Sequence, residues 1–237
     1  MDMEIKELKK LTEKVITCRK CKRLVNYLRE VSSKKVRRFR DWDYWGKPLP
    51  SFGDPNAELL IVGLAPAAHG GNRTGRMFTG DSSGDWLIRA LYETGFANQP
   101  ISKHKNDGLV LRNAYITAAV RCAPPNNKPT SQEITTCNQY LVEELKLLHN
   151  LKIILALGRI AFRAVLMAFK NGFSKILKPR PRFFHGAEYI IDTDDRIFTL
   201  IASYHPSRQN TQTGRLKWED WIKIFEKIKL KLENDGV

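Results

Sequence analysis

Two hydrophobic rhythms run along this chain of 237 residues. Residues 4–31 repeat apolar positions at helical spacing, with Leu8, Leu11, Val15, Leu24 and Leu28 as core candidates and a break between Cys18 and Cys21. Residues 34–56 lose that period. They are basic and aromatic, then rich in proline and glycine, and predict an extended wrap. The runs at 57–64, 114–120, 152–156 and 198–202 are short, almost wholly apolar and bounded by turn residues, the pattern of fully buried strands. Helical patterns separate them. One covers 82–96, capped by Ser82 or Ser83 with Trp86, Leu87, Ala90 and Leu91 inward. Others cover 131–149, from Gly158 to Ala168, and 216–232, while 180–195 predicts an irregular hairpin.

Alternating strands and helices imply one α/β domain over residues 1–237, a three-layer α/β/α sandwich with a central, mainly parallel four-stranded sheet. Within it, residues 1–56 supply an N-terminal helix, two of the cysteines and the basic wrap. No repeat or linker interrupts the pattern.

Composition narrows the class. Hydrophobic residues at 42% and charged residues at 27% describe a globular protein, and no apolar run approaches the roughly 20 residues of a membrane helix. The charged amphipathic N-terminus lacks the apolar core of a secretory signal, so a cytoplasmic, nucleoid-associated protein, monomeric and without a membrane partner, is expected. A net charge of +15 changes the picture, because such a surface attracts polyanions, nucleic acid first. A thermophilic or ribosome-associated protein can be basic for other reasons, but clustering at Lys34, Lys35, Arg37, Arg38 and Arg40 favours a binding face.

The cysteines are Cys18, Cys21, Cys122 and Cys137. A C-x2-C pair plus two distant cysteines, none left over, supplies four thiolates for one metal centre, against the alternative of unrelated buried thiols. Zinc and iron–sulfur both accept four cysteines. A zinc ribbon would show a second C-x2-C knuckle, whereas Pro124, Pro125 and Pro129 stand between Cys122 and Cys137. That loop suits a larger cofactor, so iron–sulfur leads and zinc remains the alternative.

In a parallel sheet the working groups lie beyond the carboxyl ends of the strands, and the unusual segments fall there. GLAPAAHGGNRTGRMFTGD at 63–81, AAVRCAPPNNKPT at 118–130, ALGRIA at 156–161 and SYHPSRQNTQTGRL at 203–216 resemble family 5 of the uracil-DNA glycosylase superfamily, a family of thermophilic prokaryotes. With the cysteines, the resemblance spans nearly the whole chain. It implies a [4Fe–4S] cluster on the four cysteines and excision of uracil from double- or single-stranded DNA containing deaminated bases, with a sliding clamp as a further candidate partner. It also implies departures from other families. Ala65 stands where strict uracil enzymes carry a polar or acidic group, Ala67 where family 1 has a tyrosine that blocks a 5-methyl group, and Ala118 where family 4 has a uracil-reading asparagine. A roomier pocket follows, open to hypoxanthine and to thymine-like bases in mismatches.

Hydrolysing an N-glycosidic bond requires a donor to the departing base and a water delivered to a cationic sugar. His205 is the expected donor. Asp81 is the expected water-holding carboxylate, with helix capping as its competing role. Asn127 is expected to place the same water, against a role as a turn residue. Phe78 is expected to stack on the flipped base at Gly63. Asn72, Arg73 and Arg76 are the expected phosphate contacts, joined by Ser207, Arg208 and Gln209 where family 1 carries a leucine wedge. No lysine suits a Schiff base, so the expected enzyme is monofunctional and leaves an abasic site. A non-catalytic iron–sulfur DNA-binding module is the competing reading, kept open by Ala65; a nuclease would need more carboxylates around Mg²⁺.

Overall fold

The computed structural model describes residues 2–234. In chain order its elements are α1 (Asp2–Ile16), α2 (Lys22–Lys34), β1 (Phe52–Gly53), β2 (Leu59–Gly63), α3 (Gly71–Thr74), α4 (Ser82–Glu93), β3 (Ala114–Ala118), α5 (Ser131–Leu147), β4 (Ile153–Leu157), α6 (Arg159–Phe173), β5 (Glu188–Asp192), β6 (Ile197–Ser203), α7 (Arg208–Gln212) and α8 (Trp218–Asn234). The four strands read from the sequence form the parallel centre of the sheet, in the order β3-β2-β4-β6.

The sheet has six strands rather than four. Antiparallel β1 and β5 close its two edges. Neither carries a buried-strand signature. β1 is two residues long, and β5 is an edge strand whose Ile190 is exposed while Ile191 is buried. Of the segment expected to be an irregular hairpin, residues 180–187 form no strand, while Glu188–Asp192 make a regular antiparallel hairpin with β6, Glu188 opposite Ile201 and Asp192 opposite Ile197.

Period-two alternation in the strands divides the core between the two faces. Leu59, Ile61, Ile153, Leu155 and Ile201 pack with Leu87 and Leu91 of α4 and Trp221 and Phe225 of α8. Leu60, Val62, Ile154, Ala156 and Leu200 pack on the other face with Leu141 and Leu145 of α5 and Phe162 and Phe169 of α6. A smaller third cluster joins α1 and α2 to the end of β3 through Leu11, Val15, Leu24, Leu28, Val120, Cys122 and Cys137. The chain reverses between α1 and α2 at the C-x2-C segment, where the sequence also showed a break.

β2 leads to β3 on one side of the sheet and β4 leads to β5 and β6 on the other. Connections that diverge in this way leave a crevice at the carboxyl ends of β2 and β4, the place where open α/β sheets hold ligands. Gly63 and Ala118 are paired at this rim, as are Leu157 and Ser203.

A buried polar network fixes the rim from below. Arg121, just past β3, sets Nη2 2.5 Å from Glu144 Oε2 of α5, with side chains 1% and 2% exposed. Thr117 Oγ1 donates to the same carboxylate at 2.7 Å, and Ser51 Oγ bridges Arg121 and Glu144. Removing one partner of such a pair strands the other charge in the core. Glu144→Ala is expected to lower the unfolding free energy by about 3–5 kcal/mol in urea denaturation, more than truncation of an exposed ion pair such as Glu93 with Arg89.

Candidate active site

The centre of the rim is built on glycine. A Cβ on Gly63 would lie 2.8 Å from the Phe78 ring, so only glycine at the end of β2 lets that ring settle over the strand. Phe78 adopts a left-handed φ of 48°, uncommon for a bulky residue, and Gly84 in the first turn of α4 lies too close to the Phe78 carbonyl to bear a side chain. The Phe78 and His205 rings stack with centroids 5.9 Å apart and planes at 30°. Gly158, at φ 93°, closes β4 directly beneath His205. The two rings thus stand over the β2–β4 crevice.

His205 follows β6 and is held through its backbone, its carbonyl accepting from Asn210 Nδ2 and from the Ser207 amide, each at 2.8 Å. Ser207 caps α7. The preceding Tyr204 stacks on His185 at 5.1 Å and 18°, and its amide donates to His185 Nδ1 at 3.2 Å. Burial lowers the His205 imidazole to about 4, so it is neutral at physiological pH.

Asp81 is the N-cap of α4. Its Oδ1 accepts from the Ser83 and Gly84 amides, both at 3.0 Å, which realises the capping role weighed from the sequence. Its Oδ2 stays out of the cap and turns toward Gly70, where any Cβ would collide with it. Burial raises this carboxyl above the ordinary aspartate range, while the two amides oppose the rise. Ala118 is buried, and Ala65 and Ala67 are half-buried in the loop after β2. Asn127 lies exposed in the Pro125–Asn127 turn at a left-handed φ of 54°, a backbone role that asparagine fills readily.

Three expected phosphate contacts are corrected. Asn72, Arg73 and Arg76 are 0%, 4% and 4% exposed. Arg73 donates to the carbonyls of His69 and Gly80 at 2.7 and 3.1 Å, tying together the loop that leads to Asp81. Arg76 pairs with Asp107 at 2.7 Å and donates to Ser102 Oγ and Thr79 Oγ1. Burial pushes the Asp107 carboxyl up, but Arg76 and the backbone amides around it outweigh that and bring it to about 2. A glycine-rich loop with arginines reads as a phosphate cradle in sequence; folded, Arg73 satisfies the loop's own carbonyls and Arg76 ties the loop to Asp107 and Ser102. Arg208 and Gln209 remain exposed, with Arg208 Nε 3.3 Å from Ser82 Oγ across the rim, and Ser207 is half-buried.

The four cysteines, two near the N-terminus and two past β3, line one small cavity with Leu24, Pro48, Val120, Arg121 and Tyr140. All are free thiols. Burial pushes the Cys137 thiol up to about 11 and Cys122 higher still, and the nearby thiols add to both shifts. The Arg121 amide donates to Cys137 Sγ at 3.3 Å. Arg121 Nε is buried at the same cavity without a hydrogen-bond partner. Among the described residues, no three His, Cys, Asp or Glu groups converge as a single metal ion requires. The supporting roles of His185 and Ser51 carried no sequence signal, since each acts through a partner distant in the chain.

The family profile of the Uracil DNA glycosylase superfamily matches residues 50–229. A type-5 uracil-DNA glycosylase of Thermus thermophilus is 49% identical over 90% of this chain and 92% of its own length. Another, of Pyrobaculum aerophilum, is 44% identical over 90% of this chain and 88% of its own. A type-4 uracil-DNA glycosylase of Sulfurisphaera tokodaii is 29% identical over 92% of this chain.

The depressed His205 value has a stability consequence. Between the ordinary histidine value of 6.5 and about 4, the unfolded chain takes up a proton that the folded protein refuses. Stability therefore falls as pH drops through that window and levels off below it. His205→Gln is expected to flatten the dependence of Tm on pH between 6.5 and 4, read by calorimetry; an unchanged slope would show that the imidazole is not buried as described.

Proposed function

Since this chain belongs to the uracil DNA glycosylase superfamily, in its type-5 branch, we propose that it removes uracil from DNA by hydrolysing the N-glycosidic bond. The observation that carries this reading is the Phe78–His205 ring pair, set over a glycine floor at the switch point of the sheet, with Asp81 capping the helix that follows Phe78. A flipped base needs an aromatic face to stack on, and Phe78 offers one. As the C1′–N bond breaks, its electron pair leaves with the base, and the neutral His205 ring donates an N–H to the base oxygen where that charge collects. Water then adds to C1′. The Asp81 carboxylate, through the oxygen outside the helix cap, stabilises the cationic sugar and takes the proton that the water releases.

The alanines at 65, 67 and 118 place no polar reader and no bulky blocker at the base. That supports acceptance of hypoxanthine and of thymine-like bases in mismatches. None of the strand-end segments 64–70, 119–127, 158–159 and 204–207 contains a lysine, which supports a monofunctional enzyme that leaves an abasic site.

We assign Cys18, Cys21, Cys122 and Cys137 as ligands of an iron–sulfur cluster. What supports this is that all four thiols border one cavity together with an unpartnered buried guanidinium nitrogen, and four thiolates are the ligand set that such a cluster takes. When bound, such a cluster supplies iron–thiolate bonds that join the α1–α2 turn to β3 and α5. Protein purified without chelator is expected to contain iron and acid-labile sulfide in equal amounts; stoichiometric zinc without sulfide would overturn the assignment.

Base release from duplexes bearing uracil opposite G, hypoxanthine opposite T, or no lesion tests the reading, with abasic sites revealed by alkali. Release at uracil establishes the glycosylase, and release at hypoxanthine the permissive pocket. A protein that binds DNA without releasing either base is the binding module instead. Asparagine caps helices as well as aspartate does, so Asp81→Asn keeps the cap while removing the carboxylate. We expect Asp81→Asn and His205→Ala each to lower base release by roughly 10²–10³-fold while DNA binding persists. Wild-type rates in Asp81→Asn would reduce Asp81 to a cap. The single-turnover rate is expected to fall on the acid side through a value above 3.8, as the raised Asp81 carboxyl protonates, without a further inflection near 6.5, because His205 is already neutral there.

A further inference from the structure

We infer that the ridge formed by Arg37, Arg38 and Arg40, rather than the arginines of the glycine-rich loop, grips the DNA phosphates flanking the damaged base. The segment from residue 34 to 47 carries six lysines and arginines against two carboxylates, Asp41 and Asp43. Arg37, Arg38 and Arg40 are exposed, and among the described residues none of them takes part in an ion pair.

The ridge is seated on the catalytic rim by aromatic contacts. The buried Arg73 guanidinium lies 3.9 Å from the Phe39 ring centroid and 4.0 Å from that of Trp42, in the corner made by these two edge-to-face rings, and its polar contacts are the carbonyls of His69 and Gly80. Trp45 and Gly46 donate from their amides to the Arg73 and Asn72 carbonyls at 3.1 and 3.2 Å. Tyr44 OH lies 3.0 Å from His69 Nδ1. Lys105 stands over Trp45, and His104 packs against Trp42, which brings the 103–105 cations alongside. One cation type thus does two jobs: the buried Arg73 locks the wrap onto the loop that ends in Asp81, and its exposed neighbours face solvent beside the same rim. Cations fixed on a rigid aromatic platform next to the base pocket have the chemistry and the position to set the register of a polyanionic duplex on the enzyme.

This inference rests on the glycosylase reading for its substrate, but its test involves no base release. Affinity for an undamaged, fluorescently labelled duplex would be measured across a range of salt for the wild type and for Arg37→Ala/Arg38→Ala/Arg40→Ala. A control triple, Arg112→Ala/Lys146→Ala/Lys170→Ala, removes the same charge from exposed positions at the opposite, amino-terminal edge of the sheet. The slope of log affinity against log salt is expected to lose about 0.9 for each phosphate contact removed in the ridge variant, and to keep its wild-type value in the control. Equal slopes in wild type and ridge variant would overturn the proposal, as would equal losses in both triples, which would mean that net charge alone acts. Absence of base release from wild-type protein would instead remove the glycosylase reading and leave this slope measurement standing.

Discussion

The Phe78 ring rests on the bare end of β2, and much of the rim is arranged around that contact. Because Gly63 has no side chain, the ring can occupy the strand terminus; because Gly84 has none, the backbone that carries Phe78 can pass against the first turn of α4. That passage sets where α4 begins, and so where its cap Asp81 stands. His205 stacks on the same ring, over Gly158. Segments from both halves of the chain are thus brought together by the removal of side chains at the points where backbones and rings must approach closely.

Charge in this protein is sorted by depth. Arg73, Arg76 and Arg121 are internal ties whose guanidinium groups satisfy loop carbonyls, Asp107 and Glu144. A planar fork with several donors suits this, since it can bind two or three carbonyl or carboxylate oxygens at fixed angles. The excess of exposed cations is then available for a polyanion. The same residue type thus ties the loop together from within and supplies exposed charge on the surface.

The cysteine pocket and the rim of the sheet share a segment. Arg121 and Cys122 follow β3 directly, the Arg121 amide reaches Cys137, and its side chain reaches Glu144 and Ser51. Whatever binds the four thiols is mechanically continuous with the end of β3, where Ala118 pairs with Gly63. A cluster here would act by holding α1, α2 and the wrap against the sheet, a task that the small apolar cluster of Leu11, Val15, Leu24 and Leu28 shares.

The sequence by itself determined the layered α/β architecture, because buried parallel strands and the helices covering them impose unmistakable apolar periods, and it pointed to the strand-end loops that hold His205, Phe78 and Asp81. It identified the cysteines as a set because their number and spacing left none unassigned. The edge strands β1 and β5 escaped it: short or half-exposed strands have no distinctive period, and their existence depends on a neighbour to pair with. So did the roles of Asn72, Arg73, Arg76 and Asn127. A polar side chain beside glycines looks the same in sequence whether it faces a phosphate or its own loop, and only the tertiary packing, which decides where each donor finds its acceptor, tells the two apart.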